Sequence, residues 1–267
     1  AYEITYGDWS SDVCSSDLPL VGWLTAVSMS ALGSGDFAAR LWPALFGLVG
    51  LACAWILARD LYGARAGLPA AAILATCPLY FILSQVLILD MPLSGWMTLA
   101  LTSAWFVIKP RPTPKTASSE RGVRRTALLL LFHAAAAMAV LTKGPVALVL
   151  LGGILVAHAL LQRSPRLLYP FLSPSGLAVF ALIVLPWFVL VSRRNPEFLH
   201  FFIVDQHIDR YLNPSEHRES LLYFVPILLG GMMPWTFLLG AQPRTWFRPL
   251  RRLLTLKASP GSTYLAL

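Results

Sequence analysis

Long apolar runs alternate with short polar breaks along the chain, and the length of each run sorts the elements. A lipid core offers no partner for backbone N–H and C=O groups, so a crossing segment must be helical and needs roughly 20 residues. On that criterion residues 37–58, 67–88 and 91–108 are predicted spans, and 126–142 and 145–161 form a hairpin of two short spans around Lys143-Gly144. Residues 172–192 and 221–241 complete seven crossings. The run 19–35 is apolar and mildly amphipathic but too short to cross, which predicts a helix lying in the interface. Between the spans, KPRPTPKTASSERGVRR (109–125) carries the proline, serine and charge of an exposed loop. The predicted fold class is all-α, a polytopic transmembrane helical bundle of about seven spans.

Composition agrees with that pattern. Of the 267 residues 57% are hydrophobic and 13% charged, and the mean hydropathy is +0.65, too apolar for a soluble domain of this length. The formal charge of +8 invites a nucleic-acid partner, but the basic residues fall in clusters between apolar runs, where orientation in a bilayer accounts for them. Sorted by the side each loop takes in the seven-span count, 15 of the 21 Lys and Arg residues share one face. Arg40, Lys143, Arg193, Arg194, Arg210 and Arg218 take the other, together with seven acids against two. The positive-inside rule makes the richer face cytoplasmic and turns Asp90, Lys143 and the stretch 193–220 outward. One miscounted span would reverse alternate loops and erase the asymmetry. The three cysteines, Cys14, Cys53 and Cys77, have no metal-like spacing.

Both ends read as unusual. GDWSSDVCSSDL (7–18) is rich in Ser and Asp and abruptly unlike the apolar run after it, with neither the basic start nor the apolar core of a signal peptide. Back-translated, residues 8–18 can be written as a widely used sequencing-adapter sequence, so 1–18 is expected to be a non-native leader. The end, SPGSTYLAL, reads as the entry to another apolar segment. Residues 19–267 are therefore expected to be a fragment of a longer membrane domain, cut at both ends.

Chemistry concentrates in three polar islands. The first is Asp90 in LILDMPL, at a span boundary. It is either an ionised group facing a wet cavity or a helix N-cap. Lys143 in LTKGPV interrupts the hairpin, where an ammonium can hold a phosphate as a point charge or snorkel to the headgroups. The third island, RRNPEFLHFFIVDQHIDRYLNPSEHRES (193–220), is the one long polar passage. Within it His207 and Arg210 lie three apart, on one face if helical, and the alternative is a solvated interfacial helix. Trp42-Pro43, Pro186-Trp187 and Pro234-Trp235 read as membrane-belt anchors with local kinks. His133 and His158 fall inside spans and are expected at the interface.

The motifs PLVGWL, FAARLWPALFG, LILDMPL, LTKGPVAL, LPWFVLVSRRNPEFLHFFIVDQHIDRYL followed by HR, and MMPW, in that order, resemble the bacterial lipid-linked-sugar glycosyltransferases. These are related to the aminoarabinose transferase of lipid A and, more distantly, to protein O-mannosyltransferases, all of the GT-C type. The resemblance covers residues 19 to about 241. It implies a helical membrane fold in the bacterial inner membrane, with an active site on the periplasmic face that takes sugar from a polyprenyl-phosphate donor. The acceptor would be lipid A, another glycolipid or a protein. It further implies Lys143 and Arg210 as contacts for the donor phosphate and His207 as a contact for a divalent metal ion or phosphate. Asp90 would be an acidic catalytic group, and Arg40 matches a family position near the outer end of its span. Cleaving a sugar–phosphate bond needs cations on the departing phosphate and a carboxylate for the acceptor, which agrees with this set. The family's principal acid belongs upstream of Pro19, where the leader stands, so the chain as written is expected to be inactive alone. A transporter or flippase of lipid-linked sugars is the alternative, and it should show charged or broken segments near mid-bilayer.

Overall fold

A computed structural model describes residues 18–109, 118–198, 202 and 221–241. Among these residues all regular structure is helical: α1 (Pro19–Leu32), α2 (Asp36–Tyr62), α3 (Gly67–Ala75), α4 (Pro78–Gln85), α5 (Asp90–Ile108), α6 (Ser118–Lys143), α7 (Val146–Leu161), α8 (Pro174–Arg194), α9 (Leu221–Gly231) and α10 (Thr236–Ala241). Short 3-10 turns at Ala64–Ala66, Pro165–Leu167 and Tyr169–Leu172 join some of them. The polytopic all-α expectation holds.

The predicted spans differ in form. Among the described residues α2, α5, α6 and α8 are unbroken and apolar over a membrane-crossing length. The span predicted at 67–88 is two helices, α3 and α4, bent by 66°. Pro78 is the cause, because it brings no N–H and disfavours helical backbone in the residue before it; Cys77 is extended, at φ −71° and ψ 118°. The span predicted at 221–241 is likewise split into α9 and α10 around Met233-Pro234. At 16 residues α7 rises only about 24 Å, less than a hydrocarbon core. Pro43 and Pro186, by contrast, sit inside α2 and α8, which run on through them.

Cross-helix contacts give the directions. Phe46 of α2 packs on Gly95 and Trp96 of α5, and Asp60 meets Trp105 and Lys109 further along, so α2 and α5 run parallel. The bent pair α3–α4 supplies the return between them. Tyr80 of α4 crosses α2 where Gly50 leaves room for its hydroxyl, which donates to the Gly47 carbonyl at 2.7 Å, and Ser84 sits against Gly47. α6 runs antiparallel to α5, with Lys143 beside Asp90. α8 runs parallel to α6: its start lies beside His133, and Val184 packs with Ala137 and Val140. Half of the apolar stretch of both α5 and α6 is buried, against 11% of that of α8. α5 and α6 are thus the centre of the bundle, and α8 presents its side chains outward.

α1 lies across one end of the bundle. Ser28 donates to the Ala38 carbonyl at 2.7 Å, Trp42 Nε1 donates to the Leu24 carbonyl at 2.5 Å, and Trp23 meets Trp187 edge-on at 5.2 Å between centroids. These partners lie in the first turns of α2 and the last turns of α8. Trp42 and Trp187 therefore pin a helix, and Trp235 Nε1 donates to Thr76 Oγ1 at the α3–α4 break. Beyond the belt-anchor reading, Trp42, Trp187 and Trp235 are contacts between helices.

Candidate functional site

Asp90 opens α5 and Lys143 closes α6, and the antiparallel packing of the two helices brings them together: Lys143 Nζ donates to Asp90 Oδ1. Of the two readings of Asp90, the N-cap is excluded. The cap position is Leu89, and no side-chain capping bond forms at this end of α5. Lys143 in turn reaches across to a carboxylate. Each group also faces the helix end that favours its charge, acid at an N-terminus and cation at a C-terminus. The side chains are 51% and 43% exposed, so the pair is open to an incoming ligand. Gly144 then takes φ 84°, a left-handed conformation open to glycine, and its N–H closes on the Val140 carbonyl at 2.7 Å. That turn holds Lys143 at the mouth of the hairpin.

Arg40 lies at the same end. The parallel register of α2 and α5, set by the Phe46–Gly95 and Asp60–Trp105 contacts, brings the first turns of α2 level with Asp90. Its guanidinium stands 3.8 Å from Asp36, an exposed pair one helical turn apart. No contact joins Arg40 to Asp90 or Lys143. Arg193 and Arg194 end α8 at this same end. His207 and Arg210 lie outside the described residues.

His133 and His158 are both buried among helices, at 4% and 2% exposure. His133 lies 2.7 Å through Nδ1 from the Leu129 carbonyl and 2.9 Å through Nε2 from that of Phe171, against Gly176, where any Cβ would collide with the ring. Carbonyls of α6 and of the Tyr169–Leu172 turn thus offset the cost of burying the imidazole. Cys53 and Cys77 are buried free thiols. Among the described residues no group of three His, Cys, Asp or Glu side chains is placed to hold a metal ion.

Sequence reasoning did not single out a second ion pair at the far end of α5. Lys109 Nζ donates to Asp60 Oδ1, and Trp105 Nε1 donates to Asp60 Oδ2 at 2.7 Å. The only signal for it was Asp60 in a basic turn and Lys109 at the close of the next span but one, each ordinary alone.

Fold and site together define a polytopic, all-helical membrane protein with an open carboxylate–ammonium pair at one end of its central helices. Residues 16–189, more than half of the chain, match the family described as dolichyl-phosphate-mannose-protein mannosyltransferase, and the chain belongs to that family. It is 29% identical over 232 residues to the undecaprenyl phosphate-alpha-4-amino-4-deoxy-L-arabinose arabinosyl transferase of Erwinia tasmaniensis, and 30% over 232 residues to that of Edwardsiella ictaluri. Each match covers 85% of this chain and 40% of the relative, so the chain spans about two-fifths of the curated relatives' length. The crystal structure of ArnT from Cupriavidus metallidurans bound to undecaprenyl phosphate superposes with a TM-score of 0.78 at 29% identity, covering 94% of this chain and 47% of that one. The apo state of the same protein gives 0.74.

Proposed function

We propose that this chain is part of an integral membrane glycosyltransferase that moves a sugar from a polyprenyl-phosphate donor to a lipid or protein acceptor. The observation that carries the reading is the Asp90–Lys143 pair, open at one end of the central helices in a chain of this family. The relatives' names supply the donor class, undecaprenyl phosphate carrying an aminoarabinose. In the reaction the bond between the anomeric carbon and the phosphate oxygen breaks, an acceptor hydroxyl oxygen takes its place, and its proton passes to a base. Lys143, with Arg40 and Arg210, stabilises the departing polyprenyl phosphate as its charge grows. Asp90 is the acidic active-site group, paired with Lys143 until the donor's phosphate shares that ammonium. The pair's end of the bundle faces the periplasm of a bacterial inner membrane, on the argument that 15 of the 21 basic residues are assigned to the opposite face.

His207 is assigned a contact to the donor phosphate or to a divalent metal ion. The described residues at this end do not themselves fit a cation: the single carboxylate of the pair already holds an ammonium. No step above is routed through a metal.

The test uses the full-length protein in membranes, supplied with polyprenyl-phosphate-linked sugar. Lys143→Ala and His207→Ala are expected to insert normally and to lose about 10²–10³ of the transfer rate, the range for removing one preorganised charge-stabilising group. Undiminished transfer by both variants refutes the assigned roles. The broken α3–α4 span is the one feature a transporter reading would claim. Reconstituted protein that moves lipid across the bilayer without changing a glycosidic bond would favour that reading instead.

A further inference from the structure

The end of the bundle away from Asp90 and Lys143 holds an open hollow of about 320 Å³, lined by Trp55, Ile56, Arg59, Asp60 and Phe106. Its chemistry is specific. The Arg59 guanidinium lies over the Trp55 ring at 4.5 Å, and the Lys109 ammonium lies over Phe106 at 4.5 Å while also holding Asp60. A cation near a helix C-terminus is ordinary, and Lys109, with its own carboxylate, is accounted for in that way. Arg59 likewise lies in the last turn of α2, its guanidinium stacked on an aromatic wall of the hollow and its stem set against Gly67 at the start of α3.

Depth supplies the second argument. α5 has 19 residues and rises about 28 Å, close to the roughly 30 Å of a hydrocarbon core. Its two terminal ion pairs, Asp90–Lys143 and Asp60–Lys109, therefore fall at opposite interfaces, and the hollow opens at headgroup level. There the aromatic surface of Trp55 and Phe106 suits the boundary between acyl chain and headgroup, and Arg59 presents a fork of donors matched to phosphate oxygens.

We infer that this hollow is a binding site for the phosphate headgroup of an anionic phospholipid, with Arg59 as the recognising cation and Lys109 as the second positive wall. Asp60 sets the affinity. It holds Lys109 and Trp105 in position, and its charge opposes the phosphate. The site lies at the other end of the bundle from the proposed sugar transfer and does not depend on that reading.

Native mass spectrometry of the full chain, released from micelles carrying either phosphatidylglycerol or phosphatidylcholine, tests the assignment. The unsubstituted protein should retain phosphatidylglycerol preferentially. Arg59→Gln should lower that retention about fivefold, the effect of one basic side chain near an anionic surface, and Arg59→Lys should restore part of it. Asp60→Asn, which keeps an acceptor for Trp105 and removes the opposing charge, should raise retention, a gain that a misfolded protein cannot produce. Excess inorganic phosphate should leave the lipid bound, since the acyl chains contribute. Equal retention of the two lipids, no change in either charge variant, or displacement by inorganic phosphate would overturn the proposal.

Discussion

Asp90 and Lys143 show how much of one residue's role its own position conveys. Each was visible in the sequence as a charged group interrupting an apolar run, and each carried two readings that sequence could not separate. The structure pairs each with the other, a contact that neither position conveys alone. With side chains roughly half exposed, the pair adds little to stability. A double-mutant cycle of Asp90→Asn and Lys143→Gln, followed by chemical unfolding in mixed micelles, should give a coupling of about 1 kcal/mol or less. A coupling several times larger would make the pair a structural clamp and weaken its assignment to chemistry. His133 carries the same lesson. Nothing in its apolar run reveals its partner, the Phe171 carbonyl 38 residues away.

At the scale of elements, apolar length foretold where helices lie and proline foretold where they end, but not always alike. Pro78 breaks its span, whereas Pro43 and Pro186 are accommodated within theirs. The difference is tertiary. The break at Thr76-Cys77 is met by Trp235 from the α9–α10 turn, which gives the interrupted segment a polar partner within the bundle. The α6–α7 hairpin depends instead on one backbone conformation, Gly144 at φ 84°. Gly144→Ala should cost about 1–2 kcal/mol in the same unfolding assay, because a Cβ crowds the neighbouring carbonyl in that region. It should also reduce transfer by displacing Lys143. A stability equal to that of the unsubstituted protein would mean that the turn does not position the lysine.

At the scale of the whole molecule, the two ion pairs mark the two ends of α5, and basic residues at the ends of the described helices divide between them. Arg40, Lys143, Arg193 and Arg194 gather at one end, and Arg59, Arg65 and Lys109 at the other. Cysteines introduced at Asp36, whose side chain is 95% exposed, and at Tyr62, which is 72% exposed, test this directly. In intact cells a membrane-impermeant maleimide should label position 36 and leave position 62 unlabelled until the membrane is opened. Labelling of both from outside would place both ends of α2 on one side and remove the proposed active face. Cys53 and Cys77 are buried and should contribute little background.

By itself the sequence determined that this chain lives in lipid, that it is helical, and that positions 90 and 143 carry charges that interrupt apolar runs. Those conclusions rest on local causes: a backbone without water must close its own hydrogen bonds, and a charge in an apolar run needs a reason. Only the tertiary structure decided that Asp90 touches Lys143, that α1 is held across one end by Trp42 and Trp187, and that Asp60 and Lys109 build a second charged site. Each of these joins residues well separated along the chain. Such contacts depend on how helices choose neighbours and register, and in a membrane that choice rests on side-chain shape and small-residue gaps such as Gly47, Gly50 and Gly95 rather than on any periodicity of hydrophobic residues.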